Sequence, residues 1–292
     1  MRREFRDRLA LSLLTEPGDA AVHHEVLLSN VSDVVTRRAP ADLDSRVEKA
    51  LDDARRSGLQ WVCPGMPTWP TSLDDLNHVE PLNGSGGAPW GLWVRGRDLS
   101  GLQDMAQRSV AVVGARSCSS YGADVAGEIA ADLADAGFIV VSGAAYGIDA
   151  CSHRGALALQ KPTIAVLACG ADRAYPVAHT NLLDHIVDVG GLVLSEQAPG
   201  AEPMRHRFLS RNRLIAGLSH GTVVVEAAPQ SGSLNTLNWA DRLGRSTMAV
   251  PGPVTSKRSA GSHTAVREGR AVLVTSAADV LDELSAIGVV TS

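Results

Sequence analysis

The first sixty residues repeat apolar positions at intervals of three and four: Phe5, Leu9 and Leu13, then Val26, Leu27, Val31 and Val34, then Val47, Leu51 and Ala54. That spacing lines one face of a helix, and Pro17-Gly18 and Pro40 interrupt it. A small helical module is therefore expected over 1–60. Between 61 and 104 the periodicity dissolves into Trp, Pro and Gly, as in WVCPGMPTWPTSLDDL and NGSGGAPWGLWVRG. This texture predicts a connector with short strands and a mobile loop over 83–88.

After Arg108 a regular alternation begins. Short β-branched runs at 110–113, 138–141, 163–167, 192–194, 222–225, 248–250 and 272–274 are separated by helix-like stretches. Strand and helix in strict turn predict an α/β fold, a Rossmann-like, doubly wound and mostly parallel sheet over 105–285, with a short tail at 286–292. The runs are almost wholly apolar, as strands covered on both faces must be. Sheets of this kind bind ligands beyond the C-terminal ends of their strands, so function is sought in the βα loops.

Composition narrows the class. With 45% hydrophobic and 20% charged residues in 292, the chain can bury a real core and is not a disordered one. Aromatics make up only 4%, and four of the five Trp (Trp61, Trp69, Trp90 and Trp93) crowd into the connector, a sign of two differently built parts. A net charge of −5 argues against coating nucleic acid through bulk positive charge, though not against a local basic site. No apolar run approaches the ~20 residues that span a bilayer, and the charges in MRREFRDRLALSLL are mixed through its apolar positions, unlike a secretory signal. A cytoplasmic protein is expected. The four cysteines (Cys63, Cys118, Cys151 and Cys169) form no Cys-x-x-Cys pair and have no histidine at zinc-ligand spacing, so they read as buried or loop thiols, with no metal.

Five loops carry the chemistry. The first strand runs into Gly114-Ala115-Arg116-Ser117-Cys118-Ser119 before a helix expected to start near Ala123. Backbone N–H groups at a helix N-terminus attract phosphate, and an arginine fork adds bidentate contact. The spacing lacks G-x-G-x-x-G, and no acidic residue follows the second strand to hold a ribose, so no nicotinamide cofactor is expected. The second loop, from Ser142 through Gly143 and Gly147 to Asp149, is small and lets a ligand approach backbone; Asp149 is read as a cap and His153 as a structural hydrogen-bonder. In the segment from Arg205 to Arg213, four arginines occur, and no acidic residue stands between Glu202 and Glu226. A helix beginning near Ser210 would place Arg207, Arg211, Asn212 and Arg213 about its first turn, where dipole and side chains both favour phosphate. Ser231, Gly232 and Ser233 open another helix, and Lys257-Arg258 follows AVPGP. The implied ligand is extended and phosphorylated. Clustered carboxylates, G-x-S-x-G and the Walker loop are all missing from these loops, which favours a binder over an enzyme.

These motifs, in order, are G-x-R with Tyr121-Gly122, S-G-x-A-x-G-I-D (142–149) with His153, Tyr175-Pro176, R-N-R-L-I-A-G-L-S (211–219), V-V-E-A (224–227), S-G-S-L-x-T (231–236) and A-V-P-G (249–252). The chain thereby resembles the DprA/Smf family of DNA-processing proteins over about 110–275, with a weaker echo upstream at Pro70-x-x-Leu73 and Pro89-x-x-Leu92. The resemblance implies a homodimeric single-stranded DNA binder that protects incoming DNA and loads the RecA recombinase during natural transformation. It further implies that Arg116, Ser117, Gly143, Gly147, Arg211, Asn212, Arg213, Ser231, Gly232 and Ser233 contact or shape a phosphate path. Departures occur at Leu209, where the family has Pro, at Leu237, where a small residue is usual, and at His263, Ala265 and Val266. A short form without the C-terminal winged-helix domain is expected. Two alternatives stand beside it: a phosphoribosyl-nucleotide hydrolase or nucleotide sensor that uses the same phosphate loops with Glu226 as its carboxylate, and a structural partner-binding protein whose N-terminal helices are the interaction module.

Overall fold

A computed structural model describes residues 2–289; of the expected tail, 290–292 lie outside the described residues. Nine strands form one sheet: β1 (Leu59–Val62), β2 (Leu92–Arg95), β3 (Ser109–Val113), β4 (Ile139–Ser142), β5 (Thr163–Val166), β6 (Leu192–Ser195), β7 (Gly221–Val224), β8 (Ser246–Ala249) and β9 (Val272–Leu273). Their order is β1-β2-β6-β5-β4-β3-β7-β8-β9, parallel from β6 to β9, with β2 antiparallel to β6 and β1 to β2. All seven strands expected after Arg108 are present. The two strands of the Trp-rich segment are not a separate feature but extend the same sheet.

The sheet is covered on both faces because its strands alternate between two apolar sets. In β3, Val110 and Val112 pack with Ile129 and Leu133 of helix Ser120–Asp135 and Leu284 of helix Ala277–Ala286. Ala111 and Val113 point the other way, toward Leu214 and Leu218 of helix Arg205–Leu218 and Trp239 of helix Ser233–Arg242. The chain lays β4, β5 and β6 to one side of β3 and then returns to place β7 on the other. That reversal is the topological switch point, and it opens the space between the β3 and β7 loops to a ligand.

Four helices, Arg2–Leu14, Ala20–Leu28, Val31–Arg38 and Leu43–Arg56, precede the sheet. Asp19 caps the second by accepting from Ala21 N at 3.0 Å and Val22 N at 3.2 Å, just after the Pro17-Gly18 break. Their buried positions, among them Leu9, Val34 and Val47, share a cluster with Trp61 and Trp93 and with Ala165 and Val193 of the sheet. The Trp61 and Trp93 rings lie 4.8 Å apart, so the unusual Trp content of the connector is the packing material of that joint. The loop over 83–88 is tied down, against the expectation of a mobile one. Gly86 N donates to Gly18 O at 2.9 Å, Ala88 N donates to Asn77 Oδ1 at 2.8 Å, and Gly87 O accepts from Arg213.

Candidate nucleic-acid interface

A cleft of about 1350 Å³ opens at the C-terminal ends of β3 and β7. Gly114, Arg116 and Ser117 line one wall and Ser231, Gly232 and Ser233 the opposite one, while Arg211 and Asn212 close the floor. Tyr175, Arg205, Phe208, Gln230, Lys257 and Arg258 complete it. Of the ionisable side chains lining it, Arg116, Arg205, Arg211, Lys257 and Arg258 are cationic and only Asp149 is acidic. A chain with net charge −5 thus gathers a locally positive recess.

The arginine-rich helix starts at Arg205, not near Ser210, directly after Pro203 and the extended Met204. The earlier start puts Arg207 inside the helix together with Arg211 and Arg213. At 100° per residue, Arg211 and Arg213 point about 200° apart. Arg211 turns to the cleft. It is 6% exposed, donates through Nη1 to Val166 O, and its Nε has no partner. Burial pulls its pKa down to about 10, against the opposing pull of Asp149. The Asp149 carboxyl is pushed up by burial, opposed by Arg211 and by the donated N–H of Ala145 at 3.3 Å. A buried, incompletely satisfied guanidinium at the floor is a prepared anion receptor.

Arg213 does not reach the cleft. It is fully buried; Nη1 and Nη2 each meet a Glu196 oxygen at 2.6 Å, and Nε donates to Gly87 O at 3.0 Å. Arg207 is also engaged elsewhere, with Nε and Nη2 on Glu16 at 2.9 and 2.6 Å, and it is not part of the lining. The sequence grouped these two with Arg211 through the assumed helix start. Arg207 instead fastens the N-terminal helical region to the sheet domain through Glu16, and Arg213 ties the helix to Glu196 and to the 83–88 loop.

Gly143 and Gly147 shape the site without lining it. A Cβ on Gly143 would fall inside the Arg211 guanidinium. Gly147, at φ +76°, lies so close to Ala115 O and Arg116 that no side chain fits, and it brings the first loop down onto helix Ile148–Ala158. Asn212 lines the floor and donates to Gly232 O at 3.0 Å, holding the Ser231–Ser233 turn, where the two serine hydroxyls bond each other at 2.7 Å. Ser119 caps the helix Ser120–Asp135. Glu226, buried under it, accepts from Ser119 N at 2.9 Å and Ser119 Oγ at 2.6 Å. Both of its oxygens thus help to fix the first loop. His153 is a core residue whose Nδ1 bonds Thr163 Oγ1 at 2.8 Å.

Aromatic groups give the recess a second chemistry. The Arg116 guanidinium stacks over Phe208 at 4.7 Å, and Phe208 lies 5.5 Å from Tyr175. Cation and ring alternate along one wall, offering both phosphate contact and faces for bases. The sequence placed Lys257-Arg258 among the chemistry-bearing loops and Arg205 in the arginine-rich segment, but assigned none of these, nor Tyr175 or Gln230, to the phosphate path. The signal for Lys257 and Arg258 was their place after the β8 strand end; Arg258 Nε donates to Ser117 O at 2.7 Å, joining the first loop to the last.

Among the described residues no group of His, Cys, Asp and Glu could hold a metal ion, and no helix is long and apolar enough to cross a membrane. Comparison with known proteins bears on the same region. The family model described as DNA recombination-mediator protein A matches residues 60–285. The chain is 43% identical over 252 residues to a DNA processing protein DprA of Mycobacterium tuberculosis, covering 83% of this chain and 62% of that relative's length. It is 38% identical over 262 residues to DNA processing protein DprA of Streptococcus pneumoniae, covering 90% of this chain and 88% of the relative. The solved S. pneumoniae DprA structure superposes with a TM-score of 0.73 at 34% identity, covering 94% of this chain and 95% of that one. DNA processing protein A from Helicobacter pylori, described for its single-stranded DNA binding mode, gives 0.63 at 26% identity, covering 79% and 98%.

Proposed function

We propose, from the premise that this chain belongs to the DNA recombination-mediator protein A family, that its cleft is a binding site for single-stranded DNA. The observation that carries the reading is the lining itself: five cations against one carboxylate, with Phe208 and Tyr175 set among them. The cations neutralise a phosphate backbone, and the rings accept bases that a duplex keeps stacked inside. Arg116 and Arg211 hold the phosphates, with backbone N–H groups at the helix starts after Ser119 and Gly232 adding to the field. Ser117 and Ser231 supply hydroxyl donors to the same path.

No bond-breaking step is assigned to the site. The protein acts by holding the strand, and the wider role we infer is that of a recombination mediator: a homodimer that shields incoming single strands and passes them to the RecA recombinase. Family membership supports that role. The chain spans 62% of the length of the M. tuberculosis relative, so the activity of that whole protein is part of the proposal as well.

The deciding experiment is fluorescence anisotropy with short labelled oligonucleotides, single-stranded and duplex, over a series of salt concentrations. Single strands bind more tightly than duplex of the same length, and log K falls linearly with log salt at about −0.7 per phosphate neutralised. Equal affinity for both forms, or a slope near zero, overturns the reading.

A further inference from the structure

Arg211 and Arg213 lie on one helix and both are buried, yet only one of them has a carboxylate against it. Arg213 is met by both oxygens of Glu196. Arg211 forms no ion pair among the described residues. Its one hydrogen bond runs from Nη1 to Val166 O, and its side-on edge of Nε and Nη2 has no protein acceptor. A buried charge is costly unless it is paired, so the partner of Arg211 comes from outside the chain. We propose that the floor of the cleft is a subsite for a phosphate monoester, the phosphorylated end of a strand or a free nucleoside monophosphate, which Arg211 grips with two prongs.

The free edge of the guanidinium matches that ligand. Nε–H and Nη2–H lie parallel and take two oxygens of one phosphate. The group is placed from behind: Nη1 is tied to the end of β5 through Val166 O, and Gly143 lies so near that a Cβ there would come within 2.0 Å of Nη1. The carboxylate that acts on Arg211 is Asp149, whose charge holds the Arg211 pKa up without an ion pair between the two. Arg116 on the cleft wall acts in the opposite sense and pulls it down, so the wall and floor cations repel each other. One carboxylate against these two leaves a positive excess, which Arg205, Lys257 and Arg258 enlarge.

Charge and access separate a monoester from the diester of a strand interior. A monoester carries about −1.5 to −2 charges near neutral pH and shows three terminal oxygens, whereas a diester carries a single charge and shows two. The floor is closed by Val113, Asn212 and Ile215, all buried, and the Asn212 amide is already committed to Gly232 O. A diester has chain on both sides, so seating one on Arg211 would bring two sugars down onto that base. A monoester brings one. Arg116, stacked on Phe208, then meets the next phosphate along. The inference rests on the DNA reading of the cleft for the strand that carries the monoester, and not for the monoester itself.

The test uses the whole chain and single strands of one length and sequence, labelled internally and ending in a 5′-phosphate, a 3′-phosphate or hydroxyls only. One phosphorylated form binds about tenfold tighter than the hydroxyl form, the worth of one further charge-assisted hydrogen bond. Calorimetric titration with thymidine 5′-monophosphate and with thymidine is the second arm: the nucleotide binds and the nucleoside does not. An end preference identifies the strand end as the source, and nucleotide binding without one identifies the free nucleotide; either supports the subsite. Arg211→Lys keeps the charge, loses the fork and abolishes both effects, with circular dichroism to show that it is folded. The arms on the parent chain decide the matter should that variant not fold. Three strands of equal affinity together with no nucleotide binding overturn the proposal and leave the DNA reading in place. An end preference or nucleotide affinity of unchanged size in folded Arg211→Lys overturns it as well, since the monoester would then sit elsewhere. Strands that fail to bind in every form, with thymidine 5′-monophosphate still bound through Arg211, sink the DNA reading while the subsite stands.

Discussion

Arg213 and Glu196 form a two-pronged ion pair at 2.6 Å on each prong, with the arginine wholly buried and the glutamate nearly so. The pair sits between the arginine-rich helix and the 83–88 loop, and Gly18 of the N-terminal segment approaches the same guanidinium to within reach of a Cβ. A buried charge whose partner is removed keeps its desolvation cost and loses its compensation. Glu196→Gln is therefore expected to destabilise the fold by about 3–5 kcal/mol in urea unfolding. Single-strand affinity of the protein that remains folded changes less than threefold. A collapse of affinity at preserved stability would put Arg213 in the cleft after all.

Arg116 carries two loads, a charge at the cleft and a stack on Phe208. Arg116→Ala removes both, whereas Phe208→Leu keeps the charge and removes the ring. The alanine variant is expected to reduce the salt slope by about 0.7, the contribution of one phosphate contact on a single strand. The leucine variant lowers affinity by about 1–3 kcal/mol with the slope unchanged. Both effects are independent of base sequence. Anisotropy titrations on oligo-dT and mixed-sequence strands separate them, and a slope change in Phe208→Leu would mean that the ring only positions the guanidinium.

The parallel part of the sheet was legible in the chain because strands such as 110–113 are apolar throughout, a local pattern that needs no distant partner to be read, whereas β1 and β2 carry Gln60 and Arg95 and join the sheet only through tertiary pairing. The floor of the site was legible in type but not in direction. Arg211 and Arg213 look alike in sequence, and which of them faces the ligand is decided by how the helix packs, with Val166 O on the side of Arg211 and Glu196 and Gly87 O on that of Arg213. Glu196, the partner that claims Arg213, comes from the end of β6, 17 positions upstream, where no local signal marks it. Glu16 and Arg207 lie still further apart in the chain, so that pairing was invisible before the fold was known.

His153 sets an expectation for acid stability. Burial, then the neighbouring His179 and Arg211, lower its pKa from 6.5 to about 3. Between those values the unfolded chain binds a proton that the native chain does not, so stability falls as pH drops, by about 1.4 kcal/mol per unit. From pH 7 to pH 5 this group alone costs about 2 kcal/mol. His153→Asn keeps a partner for the Thr163 hydroxyl and removes the titration. Urea unfolding at the two pH values should then show the variant losing about 2 kcal/mol less than the parent; equal losses would mean that His153 is protonated inside the fold.

Gly143 offers the most selective probe of the floor. Its backbone is not in the left-handed region, so alanine is conformationally acceptable there, yet the new Cβ would overlap Arg211 Nη1. Something must give, and the side chain anchored by one carbonyl bond to Val166 is the softer element compared with β4 and its packed loop. Gly143→Ala is expected to cost about 1–3 kcal/mol of stability, the usual penalty of overpacking. Because the guanidinium is pushed off the floor, single-strand affinity should fall by an amount similar to that in Arg211→Ala. The double variant should then bind no worse than either single one, since both act on the same contact. Unfolding curves and anisotropy on the three proteins check this, and additive losses in affinity would show that Gly143 meets the strand directly through its own backbone.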